Sequence, residues 1–158
     1  MANIVLTRID DRLIHGQVMT AWVKQTKATR IIIIDDVVAK DDFMKKVLTM
    51  AAPPGIKVEV YNVYEASDNL KKQSLPHENL ILLVKIPQTV DRLIDNGIDI
   101  KNVVLGGMGA SPSRKKFYKN ISVSEDEREA FKRLINKGVK VNIRIVPDDK
   151  SVDINKFI

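Results

Sequence analysis

Along this 158-residue chain, short apolar runs alternate with stretches whose apolar residues return every three or four positions. The runs have the length and make-up of buried strands, and the other stretches have the period of helices packed by one face. Strands are predicted over residues 4–7, 30–34, 57–61, 80–84 and 103–105, with a sixth over 118–123. The 31–34 run is unbroken isoleucine, as expected of a strand buried on both sides. Residues 139–146 alternate instead, with Val139, Val141, Ile143 and Ile145 on one side and Lys140, Asn142 and Arg144 on the other. That is the pattern of a half-exposed strand near a sheet edge. Helices are predicted over 17–27, with Val18, Ala21, Trp22 and Gln25 towards one face, from an Asp41 or Asp42 cap to about Met50, and over 64–72. Pro53-Pro54-Gly55 stops the second of these. Two more are predicted, over 88–96 up to Gly97 and from the capping-box pair Ser124 and Glu127 to Lys137-Gly138. Residues 148–158 are polar and suit a short last element.

This alternation predicts an α/β fold: one domain over residues 1–158, an open and mostly parallel sheet of about seven strands with helices on both faces. Composition agrees, at 44% hydrophobic and 29% charged, and only 5% aromatic residues make the core aliphatic. The absence of cysteine removes disulfides and thiolate metal sites and suits a reducing compartment. No apolar run approaches the ~20 residues of a membrane span, and the first residues lack the basic start of a signal peptide. A cytoplasmic protein is expected. The net charge of +6 is compatible with a solvated surface or with anionic partners. Aromatic residues are not interleaved with the basic ones, so nucleic acid is not an expected partner.

The segment with chemistry is Arg8-Ile9-Asp10-Asp11-Arg12-Leu13-Ile14-His15-Gly16-Gln17, between the first strand and the first helix. In an open parallel sheet, ligands bind beyond the carboxyl ends of the strands. His15, one of two histidines, then sits beside a helix N-terminus, where free N–H groups favour an anion. Gly16 lets backbone approach a ligand, Arg8 and Arg12 offer guanidinium forks, and Asp10 or Asp11 can hold the imidazole in one tautomer. Together they describe an imidazole poised to meet a phosphoryl group. The plainer alternative makes His15 a local hydrogen-bonding group, Asp10 a turn residue and Arg12 a surface ion pair. His77 follows Pro76 in a polar stretch and is read as solvated.

Other loops converge on the same rim: Asp35-Asp36, Lys85, and Gly106-Gly107-Met108-Gly109. The aspartates serve either the site or capping, and the glycines either a turn or a backbone wall beside His15. The glycine run matches neither a phosphate loop nor a dinucleotide fingerprint. Arg114, Lys115 and Lys116 form either a solvated loop or a docking surface. No metal site is expected, although Asp10, Asp11, Asp35 and Asp36 would collect a cation if they converged.

"RIDDRLIHGQV", followed by a helix containing Trp22, resembles the IIB component of the mannose/fructose/sorbose family of the bacterial sugar phosphotransferase system. "IIIIDDVVAKD", "MAAPPGIKVEV", "VVLGGMGA" and "FKRLINKGVKVNIRIVPDD" extend the resemblance over nearly the whole chain, with Gly109 standing where a bulkier polar residue is expected. The resemblance implies a phosphocarrier without cofactor. His15 takes a phosphoryl group from a phosphorylated IIA protein and passes it to a sugar held by the membrane IIC–IID transporter, with Arg12 as the nearest phosphate-stabilising side chain. It implies that these partners are separate polypeptides and that the protein associates peripherally with the transporter. A histidine phosphatase would carry arginine where Ile14 stands. The remaining alternative is a non-enzymatic nucleotide-binding or regulatory α/β module.

Overall fold

The structure is a computed structural model that describes residues 3–72 and 78–158; His77 lies outside the described residues. Among the described residues, nine strands and five α-helices follow in the order β1 (Asn3–Asp10), α1 (Gly16–Thr26), β2 (Arg30–Ile34), α2 (Asp42–Met50), β3 (Lys57–Tyr61), α3 (Val63–Lys72), β4 (Asn79–Val84), α4 (Pro87–Asp95), β5 (Asn102–Gly107), β6 (Lys115–Tyr118), β7 (Ile121–Val123), α5 (Glu125–Asn136), β8 (Lys140–Ile143) and β9 (Val152–Asp153). Seven strands form the main sheet, in the order β3-β2-β4-β1-β5-β8-β9. All its pairings are parallel except β8 with β9.

The all-apolar strands occupy the centre because helices cover both faces. Met19 and Trp22 of α1 and Leu48 of α2 pack on one face with Ile31, Ile33, Ile81 and Leu83. Leu70 of α3, Leu93 of α4, and Phe131 and Leu134 of α5 pack on the other with Ile32, Ile34, Leu80 and Leu82. The expected buried face of α1 is corrected accordingly. Met19 and Trp22 carry it, Val18 and Ala21 are half-buried, and Gln25 is exposed. Asp41 caps α2 through Met44 N–H, and Ser124 with Glu127 forms a complete capping box on α5.

Several strand boundaries differ from expectation, β5 among them, which runs on through Gly106 and Gly107. β1 runs on through Arg8 and Asp10, two charged residues that are wholly buried. The stretch 118–123 is a hairpin, β6 with β7, turning at Lys119 in the left-handed region at φ 46°. β8 stops at Ile143, since Asp149 accepts from the N–H groups of Ile145 and Val146 and turns the chain. The tail then returns to place β9 on the sheet edge, with Ile154 fully buried.

The chain leaves β1 for a helix on one face and the neighbouring β5 for a helix on the other. Their carboxyl ends therefore part, and this divergence is the topological switch point where such sheets bind ligands.

Candidate functional site at the β1–β5 switch point

The loop from β1 to α1 is short and tightly held. Leu13 lies in the left-handed region at φ 58°, with its side chain buried and its N–H bonded to the Asp10 carbonyl. Gly16 follows at φ 45°, a backbone state that suits glycine. Between them His15 occupies the N-cap position of α1 with its side chain a quarter exposed. No side chain caps the helix at His15 and no acidic residue stands in its first turn, so its N–H groups face the loop with their partial positive charge unopposed.

Asp10 organises the site. Its Oδ2 lies 2.9 Å from His15 Nε2 and accepts from Arg12 Nη2 at 3.0 Å and Arg8 Nη2 at 3.2 Å. Its Oδ1 accepts from the Arg12 backbone N–H and Nε, each at 3.0 Å. Burial pushes the Asp10 carboxyl up, but the Arg12 side chain and backbone, His15 and Arg8 together hold it below the usual range. An ionised carboxylate only accepts. Neutral His15 therefore donates Nε2–H to it, and the ring lone pair falls on Nδ1.

Arg12 is half exposed, at 48% of its side chain, and the bond to Asp10 keeps its charge secure. It can face a ligand and Asp10 together. Arg8 cannot. Expected on the rim, it is fully buried instead, donating Nη1 to the Arg144 carbonyl at 3.0 Å and stacking over Trp22 at 5.4 Å. Its side chain leaves β1 towards the interior, where Asp10 meets it.

Gly106 and Gly107 are buried residues within β5 and not a free turn. A Cβ at Gly106 would stand 2.1 Å from the Arg8 guanidinium, and one at Gly107 would stand 2.9 Å from Asp10 Oδ1. Gly109 has no such constraint, since its nearest neighbour would lie at an ordinary 3.6 Å.

Asp11 faces away from His15. It accepts from Gly109 N–H at 2.8 Å and from Arg114 Nη1 at 2.9 Å. Arg114 also makes a two-pronged pair with the buried carboxylate of Glu127. It is a clasp between the β1 and β5 loops, so of the three basic residues expected to form a solvated loop or a docking surface Arg114 does neither. Lys115 remains exposed, and Lys85 is half-buried just past β4. Asp35 accepts from the N–H groups of Val37 and Val38, and Asp36 accepts from Val63 N–H and Arg92. The four aspartates are thus bound to separate donors. Among the described residues no three His, Asp or Glu side chains are grouped as metal ligands, and no helix is long and apolar enough to cross a membrane.

Fold and site together define a class: an open parallel α/β protein that presents a carboxylate-held imidazole at its switch point. Within that class the chain belongs to the sorbose-subfamily IIB components of the phosphotransferase system (PTS), whose family model, described as "PTS system sorbose subfamily IIB component", matches residues 4–158. It is 40% identical to the sorbose-specific EIIB component of Lacticaseibacillus casei, over 96% of this chain and 92% of that one. It is 38% identical to the mannose-specific EIIAB component of Escherichia coli K12, over 98% of this chain and 48% of that longer protein. The crystal structure of the IIBSor domain of the sorbose permease from Klebsiella pneumoniae superposes with a TM-score of 0.93 at 38% identity, over 98% of this chain and 94% of that one.

Proposed function

We propose that this chain is a phosphocarrier in sugar uptake, with His15 Nδ1 as the acceptor. The observation that carries the reading is the 2.9 Å contact of His15 Nε2 with ionised Asp10, which leaves Nδ1 nucleophilic at the open start of α1. The donor is a phosphohistidine on a IIA protein. The name of the E. coli relative, which joins A and B units in one chain, supports that pairing.

In the first step the Nδ1 lone pair attacks phosphorus, and the donor's P–N bond breaks with its electron pair returning to the donor imidazole. Positive charge spreads over the His15 ring and is met at Nε2–H by Asp10. Arg12 and the first N–H groups of α1 supply donors for the phosphoryl oxygens, so neither metal nor cofactor is needed. In the second step a sugar hydroxyl held by the IIC–IID membrane transporter attacks the same phosphorus. The Nδ1–P bond breaks, and the hydroxyl proton leaves to a base outside this chain. The protein is accordingly cytoplasmic and docks peripherally on the transporter. The relatives' names carry different sugars, in keeping with a carrier whose sugar is bound elsewhere.

The test is incubation with purified phospho-IIA followed by mass measurement. Wild type gains one acid-labile, base-stable phosphoryl group, with or without EDTA, and His15→Ala folds but gains none. Label on His15→Ala sinks the assignment, and loss of transfer in EDTA sinks the metal-free step.

A further inference from the structure

We infer that Arg8 is a positioning residue for phosphoryl transfer: held on the Arg144 carbonyl, it fixes the Asp10 carboxylate that orients His15. The inference rests on His15 as the acceptor and concerns a residue that acts on His15 only through Asp10.

Three features of the fold are arranged around this side chain. The first is space. β1 and β5 slip register between Ile9↔Leu105 and Asp10↔Gly107, so Gly106 is the extra residue of a bulge. A Cβ there would stand 2.1 Å from both Cζ and Nη2 of Arg8. The clash is with a guanidinium held at both ends, so a flexible side chain does not simply swing away. The second is anchorage from another strand. Arg8 Nη1 donates to the Arg144 carbonyl at 3.0 Å, and Trp22, whose ring lies under the guanidinium, donates Nε1–H to the next carbonyl, that of Ile145, at 2.9 Å. Both contacts pin the segment just after β8 against β1 and α1. The third is charge. Burial pulls the Arg8 pKa down while Asp10 raises it. Two guanidiniums, Arg8 and Arg12, contact the one carboxylate of Asp10, so Arg8 holds that carboxylate from the buried side while Arg12 holds it from the exposed side.

A fold built for stability alone has a simpler solution. Replacing a buried ion pair by an apolar side chain of similar volume is often neutral or stabilising. The guanidinium, its glycine slot and its carbonyl anchor are explained by what they do to Asp10.

The experiment uses Arg8→Met and Arg8→Lys in the full chain. Ring ¹⁵N NMR of the unphosphorylated protein reads the His15 tautomer, and single-turnover transfer from purified phospho-IIA reads the rate. Folded Arg8→Met is expected to lose the single Nε2–H tautomer and to transfer about 10–100-fold more slowly, the usual effect of losing a partner that orients a functional histidine. Its melting temperature should fall, because the Asp10 carboxylate and the Arg144 carbonyl each lose a buried donor, so the tautomer and the rate, read on folded protein, carry the decision. Wild-type tautomer and rate in folded Arg8→Met overturn the inference. Should Arg8→Met not fold, Arg8→Lys decides by the same two readouts: its single ammonium lacks the planar fork that spans Asp10 and the Arg144 carbonyl. Wild-type tautomer and rate in Arg8→Lys would then overturn the inference. If wild type is labelled elsewhere than on His15, the phosphocarrier reading fails, while the tautomer measurement still judges the role of Arg8.

Discussion

Two strands of this protein end in the same dipeptide, Asp10-Asp11 after the body of β1 and Asp35-Asp36 after β2. Each pair stands at the carboxyl rim of the sheet, and each is followed by a turn and a helix. The first pair became the centre of an ion network: Asp10 is wholly buried and binds Arg8, Arg12 and His15. The second became ordinary turn chemistry. Asp35 caps the turn after β2, and Asp36 ties that turn to α3 while making a solvent-exposed pair with Arg92. The dipeptide does not separate them; what their neighbours bring does. β1 lies beside β5, whose glycines leave room for guanidiniums. β2 lies between β3 and β4, neither of which carries a glycine.

This contrast is best broken by isosteric substitution. Asp10→Asn leaves a buried guanidinium short of its partner, so it should lower stability by about 3–5 kcal/mol and reduce transfer severely. Asp35→Asn, whose amide oxygen can still accept from Val37 and Val38 N–H, should lose well under about 1 kcal/mol, with transfer within roughly twofold of wild type, well under the ~1.4 kcal/mol of a tenfold change. Urea midpoints and phospho-IIA transfer rates measure both, and equal losses in the two variants would dissolve the distinction. Acid sharpens it. The folded pKa of Asp10 lies below its unfolded value, so its stabilisation is complete above about pH 4 and is lost as pH falls through the folded pKa. The stability gap between wild type and Asp10→Asn should therefore be level from pH 8 to 5 and close only in stronger acid. A gap that closes near neutrality would mean that another group titrates.

Arg12→Lys keeps the charge but loses the planar fork. Transfer should slow by about tenfold, equivalent to ~1.4 kcal/mol of barrier, while the melting temperature barely moves because the side chain is half exposed. An unchanged rate would make Arg12 a support for Asp10 alone. The smallest effect belongs to the second pair: Asp36→Asn or Arg92→Ala should lose no more than about 1 kcal/mol, with wild-type transfer, since the ion pair is well exposed to water. A slowed transfer in either variant would extend the site to the β2 rim.

Much of this was legible in the chain itself. The isoleucine run of β2 and the apolar run of β4 read directly as buried strands, because continuous branched and apolar residues suit a sheet covered on both faces. The α5 cap was equally plain, because Ser124 and Glu127 close it locally. His15, Arg12, Asp10 and Gly16 were found as neighbours because one loop carries them all. Arg8 was misjudged because a charge at the end of an apolar run looks like the end of the strand. Its burial is made tolerable by Asp10 together with Trp22 of α1, Gly106 of β5 and the Arg144 carbonyl just past β8. Arg114 was misjudged for the same reason, since its partner Asp11 lies 103 residues away. The one available signal was the doubled glycine inside a strand, which marks close approach by something bulky.

The sequence alone therefore determined the strand–helix alternation, the sheet class, and the candidate loop after β1, all of which follow from local periodicity and from caps that close within a few residues. Tertiary structure decided which charges belong to the site. A carboxylate's worth depends on burial and on the donors that meet it, and here those donors arrive from strands and loops far apart in the chain. The pairing of β1 with β5 turned one Asp-Asp step into the holder of His15, while the same two letters after β2 remained a turn.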